Sequence, residues 1–329
     1  MARLLRDYPT ESKLLAVLAL LFVGLSMASP SFLGLVNLTS LLNNSAVNVI
    51  WAVGLLVVLI AGGIDISFAV AASVIQYGVA YALEPLGGGN WAVGFALAIV
   101  LGVALGWINA TLVHAFRIIT IVATIATFNA FFGLLMWLSA GRGIYSLPSW
   151  WSQRTLIWEH QTADGTWAEL NLAVGVMLLC MAATWVLIRH TTIGRQLYAF
   201  GDNPEGARRL GIRPGAMWFI AFGWMGAMAG IAGLVQVNIT REVVPNALYG
   251  RELDVLAAVV LGGARLGGGR GSVIGCLLGV LLMAVTQNGL NLLGVSPYAF
   301  KMVVGAIILV AISTSNVELV RGRPRRART

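Results

Sequence analysis

Charge is scarce in this chain. Asp, Glu, Lys and Arg make up 10% of its 329 residues, against about a quarter in a typical soluble domain. That is too little to coat the surface of a soluble protein of this size, and residues 14–64 carry no charged side chain at all. Cysteine is nearly absent: Cys180 and Cys276 both lie in apolar runs and read as small core hydrophobes, not as a disulfide or a metal pair. Histidine occurs three times, at 114, 160 and 190, with no clustered Asp, Glu or Cys. A metal centre or a membrane enzyme would need such a cluster. Lysine occurs only as Lys13 and Lys301. The Gly-rich stretch GGARLGGGRGS at 262–272 therefore fails as a phosphate loop, which needs G-x-x-x-x-G-K-[ST]. Its glycines suit close backbone approach or a helix break instead.

What the chain has is apolar length. Hydrophobic residues make up 58% and mean hydropathy is +0.85. A membrane span needs about 20 mostly apolar residues. The pattern predicts an all-α polytopic membrane protein, one transmembrane domain over 1–329, with ten spans: 13–29, 46–62, 66–84, 91–113, 119–139, 170–188, 215–237, 253–264, 272–290 and 297–314. MARLLRDYPTESK at the start has the basic character of a signal n-region. SMASP at 26–30 is an unconvincing cleavage site, so the first span is read as uncleaved. With both termini cytoplasmic, the external basic residues are Arg142, Arg154, Arg241, Arg251 and Lys301, leaving sixteen of the 21 inside. That bias is the positive-inside rule. The net charge of +8 thus belongs to inner loops and the basic tail 315–329, and does not point to nucleic acid.

One apolar segment is interrupted. LVVLIAGGIDISFAVAASVIQYGVAYAL at 56–83 carries Gly62, Gly63, Asp65 and Ser67 at its middle. A charged Asp at the centre of a lipid-exposed helix costs about 2.5–3.5 kcal/mol. The cost is avoided if the two glycines break the helix against protein or water. Asp65 then either caps the third span as part of a gate or touches a transported solute directly. Other polar residues lie inside spans: Asn109, Gln287, Asn288 and Asn291. Each either lines a solute path or makes an interhelical hydrogen bond, worth about 0.6 kcal/mol on average. Glu252 and Asp254 open the eighth span on the outside, as helix caps or as contacts for an external partner. The external loop 141–169, with Trp150, Trp151, Trp158 and Trp167, is an interfacial aromatic belt or a lid and docking surface. VLIAGGID at 58–65 echoes VVLGGARL at 259–266, a weak hint of duplicated halves.

The longest hydrophilic inner stretch is HTTIGRQLYAFGDNPEGARRLGIRPG at 190–215. Asp202 or Asn203 is placed to cap a helix, Pro204 suits its first position and Glu205 its positive end. Ala207, Arg208 and Arg209 continue it, and Gly211 stops it. About two turns of helix are marginal alone in water. The segment is either a solvated connector or a helix held by another protein.

Together, GGIDIS (62–67), GWINATLV (106–113), IVATIAT (121–127), GRQLYAFGDNPEGARRLGI (194–212), ELDVLAAVVLGG (252–263), GGGRGSVIG (267–275) and NGLNLLG (288–294) resemble, in order, the permease subunits of sugar-type bacterial ABC importers. The resemblance spans about residues 46–313. It implies a non-catalytic permease of the bacterial inner membrane, paired with a second copy or a paralogue and surrounded by lipid. A periplasmic solute-binding protein would deliver the solute. ATPase subunits would bind from the cytoplasm and use ATP and magnesium there, leaving this chain without a cofactor of its own. Within this resemblance 190–214 is the coupling loop, with Asp202, Asn203, Pro204, Glu205, Ala207, Arg208, Arg209 and Gly211 meeting the ATPase. GDNPEGARRLG is also similar to the permeases for autoinducer-2, a furanosyl signal, whereas GGIDIS is nearer the sugar permeases. Phe68, Ala69 and Val70 stand where sugar permeases usually have Val-Gly-Ser, and Thr124, Ile125 and Ala126 where they have Thr-Leu-Gly. The rival class is an ion-coupled secondary transporter. It needs titratable groups in mid-span, and only Asp65 and His114 come near, both at predicted span ends.

Overall fold

The structure is a computed structural model that describes residues 9–85, 87–296, 298, 299, 301, 302, 305 and 306. Most of the tenth expected span and the basic tail 315–329 lie outside the described residues. The described chain is helical, with one small β-hairpin. The helices are α1 (Pro9–Ala28), α2 (Leu35–Ile60), α3 (Phe68–Leu83), α4 (Trp91–His114), α5 (Thr120–Ser139), α6 (Ser149–Ser152), α7 (Leu172–His190), α8 (Thr192–Asp202), α9 (Pro204–Arg209), α10 (Pro214–Thr240), α11 (Glu252–Leu261) and α12 (Val273–Leu292). Seven of them, α1, α2, α4, α5, α7, α10 and α12, are long and apolar enough to cross a membrane. The short α3 and α11, of 16 and 10 residues, follow and precede the two helix breaks.

At the centre stands α2. Its residues from Val49 to Ile60 are all buried, packed by α10, α7, α12 and α11. It begins eleven residues before the expected start at 46. The polar run from Asn37 to Asn44 reads as loop in sequence, yet its amides find partners in the fold. Asn37 and Asn288 exchange side-chain hydrogen bonds at 2.8 and 3.1 Å. Asn43 donates to the Glu169 carbonyl and accepts from Asn171 N–H.

Small residues set the closest helix contact. Gly94, Ala98, Gly102, Gly106 and Ala110 fall four apart along α4 and are all buried. Across from them, a side-chain carbon on Gly102 would strike the Gly226 carbonyl, one on Gly106 the Phe222 carbonyl, and one on Gly230 the Ala98 carbonyl. The pairing is antiparallel, since rising numbers on α4 meet falling numbers on α10. In lipid no hydrophobic force drives helices together, so such backbone-to-backbone packing is a main source of association. The α11–α12 pair repeats the device, with Gly262 against Gly275 and Gly279 against Ala258.

The echo between 58–65 and 259–266 has a structural counterpart. Gly63 N–H bonds the Val58 carbonyl and Gly62 N–H the Leu59 carbonyl; Ala264 N–H bonds Val259 and Gly263 N–H bonds Val260. Both segments end a helix with the same C-terminal lock, which needs a residue of positive φ. Gly62 and Gly263 supply it at φ 89° and 92°.

Between α6 and α7, β1 (Leu156–Gln161) pairs antiparallel with β2 (Trp167–Asn171). Trp150 and Trp151 point inward: their indole N–H groups donate to the carbonyls of Gly88 and Leu234. Trp158 and Trp167 on the hairpin are exposed. The loop is therefore an anchored hairpin, stapled by Asn238 to the carbonyls of Trp151 and Gln153 and by the Arg154–Glu169 ion pair at 2.5 Å.

Candidate functional site

The polar residues that stood out within spans separate into two places. Gly62, Gly63, Asp65, Ser67 and Asn109 belong to the helix break; Gln287, Asn288 and Asn291 belong to a cavity.

At the break, Asp65 Oδ1 accepts from both Ser67 N–H and Ser67 Oγ–H at 2.7 Å. Ser67 is the residue that opens α3. Ser67 Oγ in turn accepts from Asn109 Nδ2 at 2.8 Å, and Asn109 Oδ1 accepts from Thr127 Oγ1 at 2.7 Å. All four residues are buried. The chain of bonds joins the α2–α3 connection to α4 and α5. Two further threonines of α5 hold the same connection. Thr120 Oγ1 accepts from Ile64 N–H, and Thr124 Oγ1 donates to the Ile64 carbonyl. The break is thus a buried, hydrogen-bonded structural joint, with the Ile64 backbone and the Asp65–Ser67 pair held from α4 and α5.

The cavity is different. About 620 Å³ of space lies between α2, α10, α11 and α12, reached by Asn44, Asn48, Gln236, Arg251, Asp254, Gln287, Asn288, Asn291 and Lys301. Three of these helices, α2, α10 and α12, contribute polar side chains one turn apart: Asn44 and Asn48, Gln236 and Thr240, Gln287 and Asn291. Residues four apart share a helix face, so the three faces converge. The lining is rich in carboxamides, which both donate and accept. Its one described carboxylate, Asp254, is bound to Lys301 at 2.7 Å. Glu252, its neighbour, is buried and accepts from Gly250 N–H at 3.1 Å. Asn48 Oδ1 is buried without a partner.

Asn44, Asn48 and Gln236 were not singled out in the sequence, and Arg251 was read only as an external basic residue, although the four-residue polar spacing on α2 and α10 was there to be read.

The cavity occupies the N-terminal half of α2, the C-terminal ends of α10 and α12 and the start of α11. The opposite ends of these helices close on one another. Gly269 N–H bonds the Ile60 carbonyl at 2.9 Å, and Tyr198 on α8 donates to the Gly271 carbonyl at 2.7 Å. A side-chain carbon on Gly268 would meet both Gly62 and Gly201. The two echoed helix ends and the end of α8 form one knot of backbone. From it leads α9, capped by Asn203, whose Oδ1 accepts from Gly206 N–H at 2.9 Å. Pro204 is its first residue, Arg209 pairs with Glu205 at 2.6 Å, and Gly211 ends it at φ 84°. Ala207 is the buried residue of this helix, while Arg208 and Arg209 are exposed. Asp202 closes α8 and packs against Gly269.

Among known proteins, the family described as "Branched-chain amino acid transport system / permease component" matches residues 37–312. The ribose import permease protein RbsC of Escherichia coli (strain K12) is 33% identical over 93% of this chain and 94% of its own length. The chain belongs to the sugar-type ABC-importer permeases. RbsC of Bacillus subtilis (strain 168) is 31% identical, covering 90% of this chain and 89% of that protein. The autoinducer 2 import system permease protein LsrC of Photorhabdus luminescens is also 31% identical, over 95% and 91%. No solved structure matches. As a member of this permease family with seven helices of membrane length, the chain is a multi-pass protein of the bacterial inner membrane and a transport component.

Proposed function

We propose that this permease forms half of the translocation path for a monosaccharide or related small polar solute, with the amide-lined cavity as the part of the path this chain supplies. The observation that carries the reading is the cavity's position. It lies at the ends of α2, α10, α11 and α12 remote from α9, and the near ends are sealed by glycine backbone. Such a site takes solute from one side and releases it only when the seal at Gly62, Gly201 and Gly269 parts. Carboxamides suit hydroxyl groups, and a wet, weakly binding surface suffices where a separate binding protein selects the solute.

In this reading ten spans cross the membrane with both termini in the cytoplasm, and 190–214 is a coupling loop within the single domain 1–329. The exposed arginines of α9 meet a cytoplasmic ATPase, which holds the ATP and magnesium. A second permease copy or paralogue completes the path, and the external face, Glu252 and Asp254 included, receives the solute-binding protein. The likeness to LsrC favours a second solute reading, a furanosyl signal, in the same cavity.

Purification of the chain from native membranes in a mild detergent, followed by mass spectrometry, tests this. The expected companions are a duplicated-cassette ATPase and a periplasmic binding protein, whose ligand then names the solute. Repeated recovery of the chain alone, with transport driven by a proton gradient, overturns the reading in favour of an ion-coupled carrier.

A further inference from the structure

We infer that Arg251 sets the charge of the solute this cavity accepts, and that the favoured class is a polyhydroxylated small molecule bearing a carboxylate. The inference rests on the cavity being part of the solute path.

Two contacts hold the guanidinium of Arg251 at the cavity wall. Its central carbon stands 5.4 Å from the centre of the Trp51 ring, and one of its nitrogens donates to Gln236 Oε1 at 3.2 Å. Trp51 is fully buried and braced by Phe68. The guanidinium is therefore fixed between α2 and α10 by an aromatic face and a neutral amide, which orient it without cancelling its charge. No described carboxylate lies within ion-pair distance of it. The ion pairs among the described residues are Arg154–Glu169, Arg209–Glu205 and Lys301–Asp254. The nearest acid in sequence, Glu252, turns its oxygen to Gly250 N–H, and Asp254 is engaged by Lys301.

The cavity thus has two cations and one anion among its described charged groups. A guanidinium has five N–H donors in a planar fork, and only one is used here by a protein acceptor. That fork matches a carboxylate with two parallel bonds, more strongly than it matches a hydroxyl. One turn back along α2 from Trp51, Asn48 also lines the cavity, with Asn44 and Gln236 as further carboxamides. A ligand that suits this wall presents an anion to Arg251 and hydroxyls to the carboxamides around it. A cationic solute meets repulsion at this wall. A neutral sugar meets the carboxamides but brings no carboxylate to Arg251, so it is bound more weakly.

Glucose and glucuronate are a matched pair of probes, differing at one carbon oxidised from alcohol to carboxylate. Saturation-transfer NMR with the purified full-length chain in nanodiscs measures the weak affinities expected. Glucuronate is expected to bind the more tightly, by about tenfold or more, the scale of a charged hydrogen bond. R251Q should bring the two affinities together, by weakening glucuronate more than glucose. R251K keeps the charge without the fork, should retain part of the preference, and replaces R251Q as the test if that variant does not fold. Equal affinities in the unaltered chain, or a preference that R251Q and R251K leave intact, overturn the inference. Q287L separates this failure from that of the path. If Q287L weakens both sugars while no preference exists, the cavity stands and its charge selection falls. If neither Q287L nor R251Q changes any binding, or neither sugar binds, both readings fall.

Discussion

Gly201 and Ile60 meet backbone to backbone: the space where a side chain on Gly201 would begin is filled by the Ile60 carbonyl, the same oxygen that accepts the Gly269 N–H. The contact joins the last turn of α8, the end of α2 and the Gly-rich loop after α11 in one place. A single residue, Asn203, separates the end of α8 at Asp202 from the start of α9 at Pro204, so α9 is tied directly to this knot.

Replacing Gly201 with Val therefore forces main chain apart, since no flexible side chain is available to yield. Overpacking of this kind costs about 1–3 kcal/mol, and the unfolding temperature in detergent should fall accordingly. Gly133 is the control. A carbon there meets nothing within 4 Å, so Gly133→Ala should be neutral or stabilise by up to about 1 kcal/mol through helix propensity. Equal effects at the two positions would show that the knot is not tightly packed.

The local parts of this design were readable in the sequence. Asn203, Pro204, Glu205 and Gly211 are a helix start and stop written in adjacent residues, and α9 forms where they place it. The doubled glycines at 62 and 263 announced breaks for the same reason. The cavity was harder to see because its walls come from residues 44–48, 236–240, 251–254 and 284–291, and nothing local says that those faces meet. Asn37 and Asn43 misled in the opposite sense: amides that look like loop become helix when Asn288 and Glu169 answer them. The hairpin escaped notice because its strands carry no regular alternation, and Leu156 to Gln161 is exposed on nearly every residue.

Asp65 offers a sharper test. Asp65→Asn keeps an oxygen for Ser67 and should cost little. Asp65→Ala strands the Ser67 donors in a buried joint, at about 1–3 kcal/mol for an unanswered group. Asn109→Ala should behave similarly, and the double variant Asn109→Ala/Thr127→Ala should cost less than the two single changes together, with a coupling of about 0.5–3 kcal/mol. Thermal unfolding of the four proteins measures it. Additive losses would mean that the bonds from Thr127 to Asn109 and on to Ser67 do not act as one network.

Removal of a cavity amide should act on solute and not on stability. Gln287→Leu and Asn44→Leu each take away a group with no essential protein partner, so unfolding temperatures should hold. A lost hydrogen bond is worth about 0.5–1.5 kcal/mol, or roughly two- to tenfold in uptake at low solute concentration by the reconstituted importer. Unchanged uptake in both variants would place the solute path elsewhere.

The last prediction concerns α9. Asn203→Ala deletes the side-chain oxygen that accepts Gly206 N–H, and a lost N-cap costs about 1 kcal/mol. In a six-residue helix that is a large share of what keeps it formed, because so short a segment cannot recover the loss by propagation. Its buried residue is Ala207, so little packing offsets the change. The chain as a whole should still fold, since the α4–α10 seam and the core around α2 are untouched. In the function proposed above, what should weaken is the hold of α9 on the ATPase subunit. ATPase co-purified with the Asn203→Ala chain should drop several-fold, and Asn203→Asp, which restores an acceptor and adds a favourable charge at the helix start, should recover it. Loss in both variants would point to direct contact by the Asn203 amide in place of capping, and loss in neither would remove α9 from the coupling path.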